Sequence, residues 1–222
     1  MYIDTVNLRL NIDGVNMEKI TNYHHGNLRV ALMEAALALL DEEGVEAVGI
    51  RQIARKVGVA HSAPANHFKN KKALFTALAI EIFRDLTLTI QSKFEGQTEN
   101  FRDSVHHFAK TIFDFGIKFP NRYKLLWRQD CVDNSSDMLN DVMEEMYQLL
   151  TTILQEHAKQ QNIDVESQSI AMWSLIHGYV SLRLSDNLGA GHDEVTGIVR
   201  ESAIIDVLID GLIANQNKGK LP

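Results

Sequence analysis

Apolar residues recur at helical spacing along most of the chain, and no stretch alternates apolar and polar residues as a half-buried strand does. Only three prolines interrupt the 222 residues, which favours long helices because proline breaks the helical hydrogen-bond ladder. The pattern predicts a helix over about 71–94, one capped by Asn100, a short one opened by Pro120, and a long one capped by Ser135 or Ser136. The fold class is therefore predicted to be all-α.

The most specific local pattern lies in residues 48–74. Apolar residues at helical spacing run up to Gly58, which can adopt the positive φ that ends a helix without steric cost. A second short helix is expected from about Ser62 to Phe68. Two short helices joined by a tight glycine turn predict a helix-turn-helix, whose second helix enters the DNA major groove.

Several short motifs around this segment stand in a family-specific order. They are Glu43-Gly44 at the end of a first helix, the turn Val57-Gly58-Val59, the pair His67-Phe68 followed by Lys71, and Ala73-Leu74 opening a further helix. Over about 27–79 the chain resembles the DNA-binding domain of the tetracycline-repressor (TetR/AcrR) family. The resemblance implies an N-terminal three-helix helix-turn-helix domain followed by a C-terminal helical bundle for dimerisation and ligand binding. Ala65 and Asn66 depart from the pattern, because many members carry an aromatic residue and then Arg or Lys there.

The predicted recognition helix carries side chains that suit base edges. An asparagine amide can form two hydrogen bonds with adenine. A serine hydroxyl can bond to the edges of several bases, and an alanine methyl group can contact the thymine methyl group. Two alternatives stay open: Ser62 can cap the helix beside Pro64, and Asn66 can meet a base or only the backbone. Lysines near the start of the next helix are placed for phosphates. The candidate DNA contacts are Arg51, His61, Ser62, Ala63, Asn66, His67, Lys69 and Lys71.

The last two predicted helices are apolar on more than one face. A helix of this kind must be covered on several sides, and a second copy of the chain can supply that cover. Gly178 and Gly211 lie inside these helices, where glycine costs about 1 kcal/mol relative to alanine and usually permits close approach of another helix. The candidate dimer contacts are Gly178, Ile204, Leu208, Gly211 and Leu212.

A second resemblance lies in the C-terminal half. Trp173, His177 and Gly178 in W-S-L-I-H-G, with Pro120 and Tyr123 upstream, look like the Trp-His-Gly subtype of TetR-like C-terminal domains. The subtype implies a dimer with a ligand cavity, and it names no ligand.

Aromatic residues and methionines are frequent between residues 108 and 179. Their default role is core packing, but with a few polar groups they have the usual composition of a ligand cavity. His177 is either an effector contact or a hydrogen-bonded core histidine. A small, mostly apolar effector is expected, and its candidate contacts are Phe108, Ile112, Phe115, Tyr123, Trp127, Met143, Met146, Trp173 and His177.

Composition narrows the function further. The net charge is −7, yet residues 17–80 hold eight Lys and Arg against six Asp and Glu, whereas residues 81–222 hold thirteen against twenty-one. This asymmetry places the anion-binding face in the first part. Cys131 is the single cysteine, so no internal disulfide can form and a cytoplasmic location is expected. The sequence contains no apolar run long enough to predict a membrane span.

Neither catalysis nor a cofactor is expected. The sequence has no glycine-rich phosphate loop and no nucleophile elbow. The pairs His24-His25 and His106-His107 do not predict a metal site, since adjacent side chains on a helix point about 100° apart.

These observations predict a cytoplasmic, homodimeric, ligand-responsive transcription regulator, a repressor that binds a palindromic double-stranded DNA operator. Residues 1–16 are expected to be a flexible extension or, alternatively, an arm reaching the minor groove. Residues 17–75 are the predicted DNA-binding domain, and residues 76–222 the predicted effector-binding and dimerisation domain. Two rival functions remain: an all-α ligand-binding or enzymatic bundle without DNA function, and an interaction protein that binds a different partner through its last helices.

Overall fold

A computed structural model describes residues 28–94, 100–158 and 164–218; for Lys93, Ala158 and residues 212–218 it describes the backbone only. The predicted extension 1–16, the pair His24-His25 and the Leu212 side chain lie outside the described residues. The described part is helical, with one isolated antiparallel bridge between His192 and Val199 and no strand. The all-α prediction is therefore confirmed.

The described residues form eight α-helices and two short 3₁₀ turns. They are α1 (Leu28–Glu43), the turn Val45–Ala47, α2 (Ile50–Val57), the turn Ala63–Asn66, α3 (Lys71–Phe94), α4 (Phe101–Lys118), α5 (Pro120–Leu126), α6 (Asp137–Ala158), α7 (Val165–Leu184) and α8 (Arg200–Lys218). None of these helices is long and apolar enough to cross a bilayer, in the part of the chain that the structure describes.

The predicted helix starts are confirmed by their caps. The Asn100 side-chain oxygen accepts a hydrogen bond from the Asp103 amide at 3.1 Å. The Ser136 hydroxyl accepts one from the Leu139 amide at 3.4 Å, which selects Ser136 over Ser135 as the cap. Each cap satisfies an amide that the first helical turn leaves without an intrahelical partner.

Packing divides the chain into two compact units. Within the described residues, the first unit comprises 28–85 and 119–142, and the second comprises 86–94, 100–118, 143–158 and 164–218. Helices α3 and α6 each contribute residues to both units. This division follows packing, and the functional boundary predicted after residue 75 stays a prediction.

The first unit has its core between α1, α2 and α5. Helix α1 packs against α2 and also against α5, although α5 comes some eighty residues later in the chain. Leu32, Met33, Leu40, Ile53 and Phe75 are buried to 1% exposure or less. Burying each such side chain stabilises the fold by roughly 1.5–3 kcal/mol, so these contacts hold the short helices in place.

An ion pair fixes α5 to the end of α1. The Arg122 guanidinium donates through Nε to Asp41 Oδ1 at 2.9 Å and through Nη2 to Asp41 Oδ2 at 2.5 Å. It also lies 4.4 Å from the centroid of the Phe119 ring. The Asn121 amide donates to the Asp41 backbone oxygen at 3.3 Å, a carbonyl in the last turn of α1. Two-pronged, charge-assisted contacts are among the stronger polar interactions in proteins.

The second unit is built around α4, which packs against α7 and α8. The Phe113 and Tyr179 rings lie 4.7 Å apart between their centroids. The Arg183 guanidinium donates to Tyr179 Oη at 2.9 Å and to Glu201 Oε1 at 3.0 Å, which ties α7 to α8. On α4, Arg102 binds both Asp206 and Asp210 of α8. Aromatic packing and ion pairs therefore hold these three helices together.

We predict that Arg122→Met lowers the free energy of unfolding by about 1.5 kcal/mol, because it removes charged hydrogen bonds of a side chain that is only 12% exposed. Equilibrium urea unfolding measures the change. Lys110→Met is the matched control, since it breaks an ion pair with Asp114 whose partners are more than half exposed. The control should cost less than about 0.5 kcal/mol. Equal effects of the two substitutions would contradict a stabilising role for the contact with Asp41.

Candidate functional site

Helix α2 ends as the sequence predicts. Gly58 has φ +77°, and its amide donates to the Arg55 oxygen at 3.2 Å. The next amide, of Val59, donates to the Ala54 oxygen at 2.9 Å, so the helix closes in a Schellman arrangement. A Cβ at Gly58 would meet nothing within 4 Å, so the glycine is required for its backbone conformation rather than for space.

The predicted second helix, Ser62 to Phe68, is shorter than expected. It is a single 3₁₀ turn, Ala63–Asn66. Two bonds join residues three apart, from the Ala65 amide to the Ser62 oxygen at 3.2 Å and from the His67 amide to the Pro64 oxygen at 3.0 Å. The Pro64 oxygen also accepts a bond from the Phe68 amide, four residues on, at 2.9 Å. Pro64 explains the difference, because it has no amide hydrogen and disfavours the α conformation in the residue before it.

Burial divides the residues of this turn into anchors and exposed groups. Pro64 is buried and Phe68 is 4% exposed, so both face the core of the first unit. Ala63 is half-buried, and so is Lys71. The remaining candidate contacts are exposed: Arg51, His61, Ser62, Asn66, His67 and Lys69. The structure therefore presents the candidates between His61 and Lys69 on one short exposed stretch, with Arg51 on α2.

Ser62 is expected either to cap the second helix or to contact a base edge. Ser62 precedes the 3₁₀ turn, but its hydroxyl makes no capping hydrogen bond there. The turn is held instead by backbone bonds and by the two buried anchors. The Ser62 side chain is thus exposed without a capping role, which is the arrangement a groove contact requires.

Lys71 has a structural contact that the sequence did not indicate. Its ammonium donates to the Val45 backbone oxygen at 3.1 Å and lies 5.1 Å from the centroid of the Phe75 ring. An ammonium carries three donors, so this contact leaves capacity for a phosphate oxygen. Lys71 therefore links the start of α3 to the turn that follows α1, next to the exposed turn.

Asn70 is a helix-capping residue that the sequence analysis does not predict. Its side-chain oxygen accepts a hydrogen bond from the Ala73 amide at 2.8 Å and caps α3. Asparagine immediately before a predicted helix is a common capping signal, and this signal was present at residue 70. The cap fixes the point at which the chain leaves the exposed turn.

Seven candidate effector contacts belong to the second unit. Four of them are buried (Phe108, Ile112, Phe115 and Met146), and three are half-buried (Met143, Trp173 and His177). The Phe108 and Trp173 rings lie 6.3 Å apart between their centroids. Burial lowers the pKa of His177, so its imidazole is neutral at neutral pH. This group is mostly apolar and includes one neutral polar ring.

The other two candidate effector contacts lie in the first unit. Tyr123 and Trp127 are neighbours on and just after α5, with 6.1 Å between their ring centroids. Burial raises the pKa of the Tyr123 phenol, which therefore stays protonated. Packing thus divides the nine candidates between the two units.

The candidate dimer contacts include surface that the chain leaves uncovered. On α8, Ile205 and Ile209 are buried, whereas Val207 on the other side is 73% exposed. Ile204 and Leu208 are half-buried and Gly211 is exposed. On α7, Ile170 and Leu182 are 53% and 47% exposed. Both helices therefore carry apolar side chains toward solvent.

The two interior glycines were predicted to permit close approach of a helix. A Cβ added at Gly178 or at Gly211 would meet nothing within 4 Å. No described segment of the same chain is therefore the reason for a glycine at either position.

Two short helical segments joined by a glycine turn, with the second segment exposed above buried anchors, define a helix-turn-helix DNA-binding protein. A family model described as bacterial regulatory proteins, tetR family, matches residues 32–78. Another, described as tetracyclin repressor-like, C-terminal domain, matches residues 105–202, and the two together match more than half of the chain. The chain belongs to the TetR family of bacterial regulatory proteins. The Trp-His-Gly subtype is not named by either description and stays a prediction.

Curated relatives are similar over different lengths. The tetracycline repressor protein class D of Escherichia coli is 43% identical over 54 residues, which are 24% of this chain and 25% of that protein. The match thus spans about a quarter of that repressor's length. The HTH-type transcriptional regulator YobS of Bacillus subtilis is 24% identical over 185 residues, covering 83% of this chain and 92% of that protein.

Solved structures share the fold over most of the chain. A protein of unknown function from Rhodococcus sp. RHA1 has a TM-score of 0.73 and 27% identity, covering 86% of this chain and 98% of that one. The regulator FadR of Bacillus subtilis, solved in complex with stearoyl-CoA, has a TM-score of 0.63 at 16% identity, covering 83% of this chain and 97% of FadR. The second likeness shows the fold alone.

Proposed function

We propose that this protein is a cytoplasmic transcriptional repressor, rather than an enzyme, that binds a palindromic operator as a homodimer and releases it when a small effector binds. The observation that carries the proposal is the exposed turn after Gly58, held by buried Pro64 and Phe68 in a region matched by the tetR-family model. An exposed, rigidly anchored turn of this kind is suited to the major groove.

DNA contacts divide by chemistry into positioning and reading groups. Arg51, Lys69 and Lys71 are cationic and suit phosphates, which supply most of the affinity. Ser62, Ala63 and Asn66 suit base edges, and His61 and His67 flank them on the exposed stretch. The short turn would therefore select the DNA sequence, and its basic neighbours would supply affinity for DNA of any sequence.

A second copy of the chain completes the proposed regulator. Exposed Val207, Ile170 and Leu182 are apolar, and nothing in the described chain approaches the two interior glycines. A symmetric pair of these helices would cover both features through one self-complementary surface. Two heads would then meet half-sites roughly 34 Å apart.

The proposed effector binds among the apolar residues around Phe108 and Trp173. His177 is neutral there, so the proposed ligand is small, largely apolar and uncharged near that ring. An effector that weakens DNA binding must itself bind the free protein more tightly than the DNA complex by the same factor.

We predict that Lys71→Ala weakens binding to all DNA sequences about equally. The slope of log K against log salt should fall by roughly 1 per monomer, because one phosphate contact is lost. Fluorescence anisotropy over a salt series measures the slope. Lys110→Ala, an exposed lysine on α4, should leave the slope unchanged. A normal slope in the Lys71 variant would restrict that residue to its contact with Val45.

We predict that Val207→Glu produces monomers and abolishes tight operator binding. Val207 is 73% exposed in the single chain, so a carboxylate there is tolerated by the monomer and repelled at a symmetric interface. Leu208→Glu, one residue on, should act in the same way. Leu88→Glu on α3 is the control, since that leucine is also exposed at 55%. Light scattering that still reports a dimer, with operator affinity intact, would place the interface elsewhere.

We predict that Met143→Trp blocks the effector and leaves DNA affinity nearly unchanged, because the larger side chain fills space beside Met146. The readout is the rise in Tm caused by whichever compound of a broad metabolite panel stabilises the wild type most. Met138→Trp, at an exposed position of the same helix, should respond normally. The proposed site is wrong if no compound raises Tm or if the Met143 variant still responds.

A further inference from the structure

The 3₁₀ turn at Ala63–Asn66 has an inner and an outer side. Pro64 is buried and marks the inner side. Ser62, Ala65 and Asn66 are exposed and Ala63 is half-buried, so these side chains belong to the outer side. The Asn66 amide and the two alanine methyl groups therefore lie within four consecutive residues of one exposed turn.

Guanine readers are missing from this turn. The most frequent contact to guanine is a two-pronged bond from arginine or lysine to O6 and N7. The residues from Ala60 to Phe68 include neither side chain. The basic side chains near the turn lie outside it: Lys69 follows it, and Arg51, Arg55 and Lys56 lie on α2, where the Lys56 ammonium is 3.3 Å from a carboxylate oxygen of Glu42. The turn therefore has no arginine or lysine side chain that can donate to both O6 and N7 of a guanine.

The other polar side chains of the turn cannot form this pair of hydrogen bonds to guanine. The two ring nitrogens of an imidazole point in different directions, so neither His61 nor His67 can bond to O6 and N7 of one guanine at the same time. The Ser62 hydroxyl can rotate and can both donate and accept a hydrogen bond, so it can bond to any base and does not select one. Asn66 is different, because its amide offers one donor and one acceptor side by side, which matches N7 and N6 of adenine.

We propose that this turn reads A·T pairs, with the Asn66 amide on an adenine and the methyl groups of Ala63 and Ala65 against thymine methyls of the same or the neighbouring pair. The inference rests on the proposed DNA-binding function and adds which bases each head selects. Ala65 is exposed and Ala63 half-exposed, so both methyl groups are accessible. The base pairs that this turn selects are thus A·T pairs, and the turn does not contact guanine.

The test begins with the full-length wild-type protein and the DNA it enriches from a random pool. The enriched operator is then rebuilt with single base analogues and binding is measured by anisotropy. Substituting 7-deazaadenine at one position of each half-site should weaken binding about tenfold, because N7 is lost. Replacing a neighbouring thymine by uracil should weaken it about threefold, because the methyl group is lost. Substitution by 7-deazaguanine at the positions read by the turn should change binding less than twofold.

Three variants assign these effects to residues. Asn66→Ala should bind the normal and the 7-deazaadenine operators equally. Asn66→Asp keeps the shape but loses the donor, so its preference at that position should move from adenine toward cytosine, whose N4 group is a donor. Ala65→Gly should reduce the uracil effect. Melting temperatures confirm that each variant is folded.

Two other results have different meanings. A half-site whose binding falls about tenfold with 7-deazaguanine at the position read by residue 66 overturns the A·T inference and leaves the proposed function standing. Failure to enrich any sequence from the random pool overturns the proposed function itself. Retained sensitivity to 7-deazaadenine in Asn66→Ala also overturns the inference, because another residue then reads the adenine.

Discussion

Burial of Pro64 and Phe68 is the constraint on which the exposed turn depends. A 3₁₀ turn of four residues has poor hydrogen-bond geometry and does not persist by itself in water. Here its inner side is fixed by these two anchors, and the Arg29 guanidinium lies 5.1 Å from the centroid of the Phe68 ring. Asn70, two residues beyond Phe68, then caps the start of α3. The conformation of the exposed side chains is therefore imposed by the core beneath them.

The same unit also connects the turn to residues far along the chain. Helix α5 bears Arg122 and Asn121, which hold the end of α1, and its next residue, Tyr123, is a proposed effector contact. The Thr76 hydroxyl on α3 accepts a hydrogen bond from the Asp133 amide at 2.9 Å in the loop after α5. Helices α1 and α5 belong to one compact unit, so no flexible linker separates them.

Caps and turns of the helices could be predicted from neighbouring residues in the sequence. Contacts between residues far apart in the chain could not. Asn100, Pro120 and Gly58 act through their own or neighbouring backbone, so the sequence places them correctly. The pairing of Asp41 with Arg122 joins residues 81 apart, and no periodicity indicates it. The bond from Lys71 to the Val45 oxygen was equally hidden, because a carbonyl acceptor carries no residue-specific signal. The sequence also predicts a second helix from about Ser62 to Phe68, whereas the structure has only the 3₁₀ turn Ala63–Asn66, where Pro64 disfavours the α conformation of the residue before it.

The shortness of the turn has a consequence for assembly. One well-placed pair of bonds to a base is worth about 1–3 kcal/mol, and this turn offers one side chain of that kind. Specific regulators exceed their own non-specific binding by roughly 4–10 kcal/mol. A single head with one such contact and two methyl groups falls short of that range, whereas two heads on two half-sites double the discrimination. In the proposed regulator, the apolar surface of α7 and α8 and the short turn at Ala63–Asn66 would therefore act together: the smaller the reading surface of one subunit, the more its specificity would depend on the interface that holds a second one.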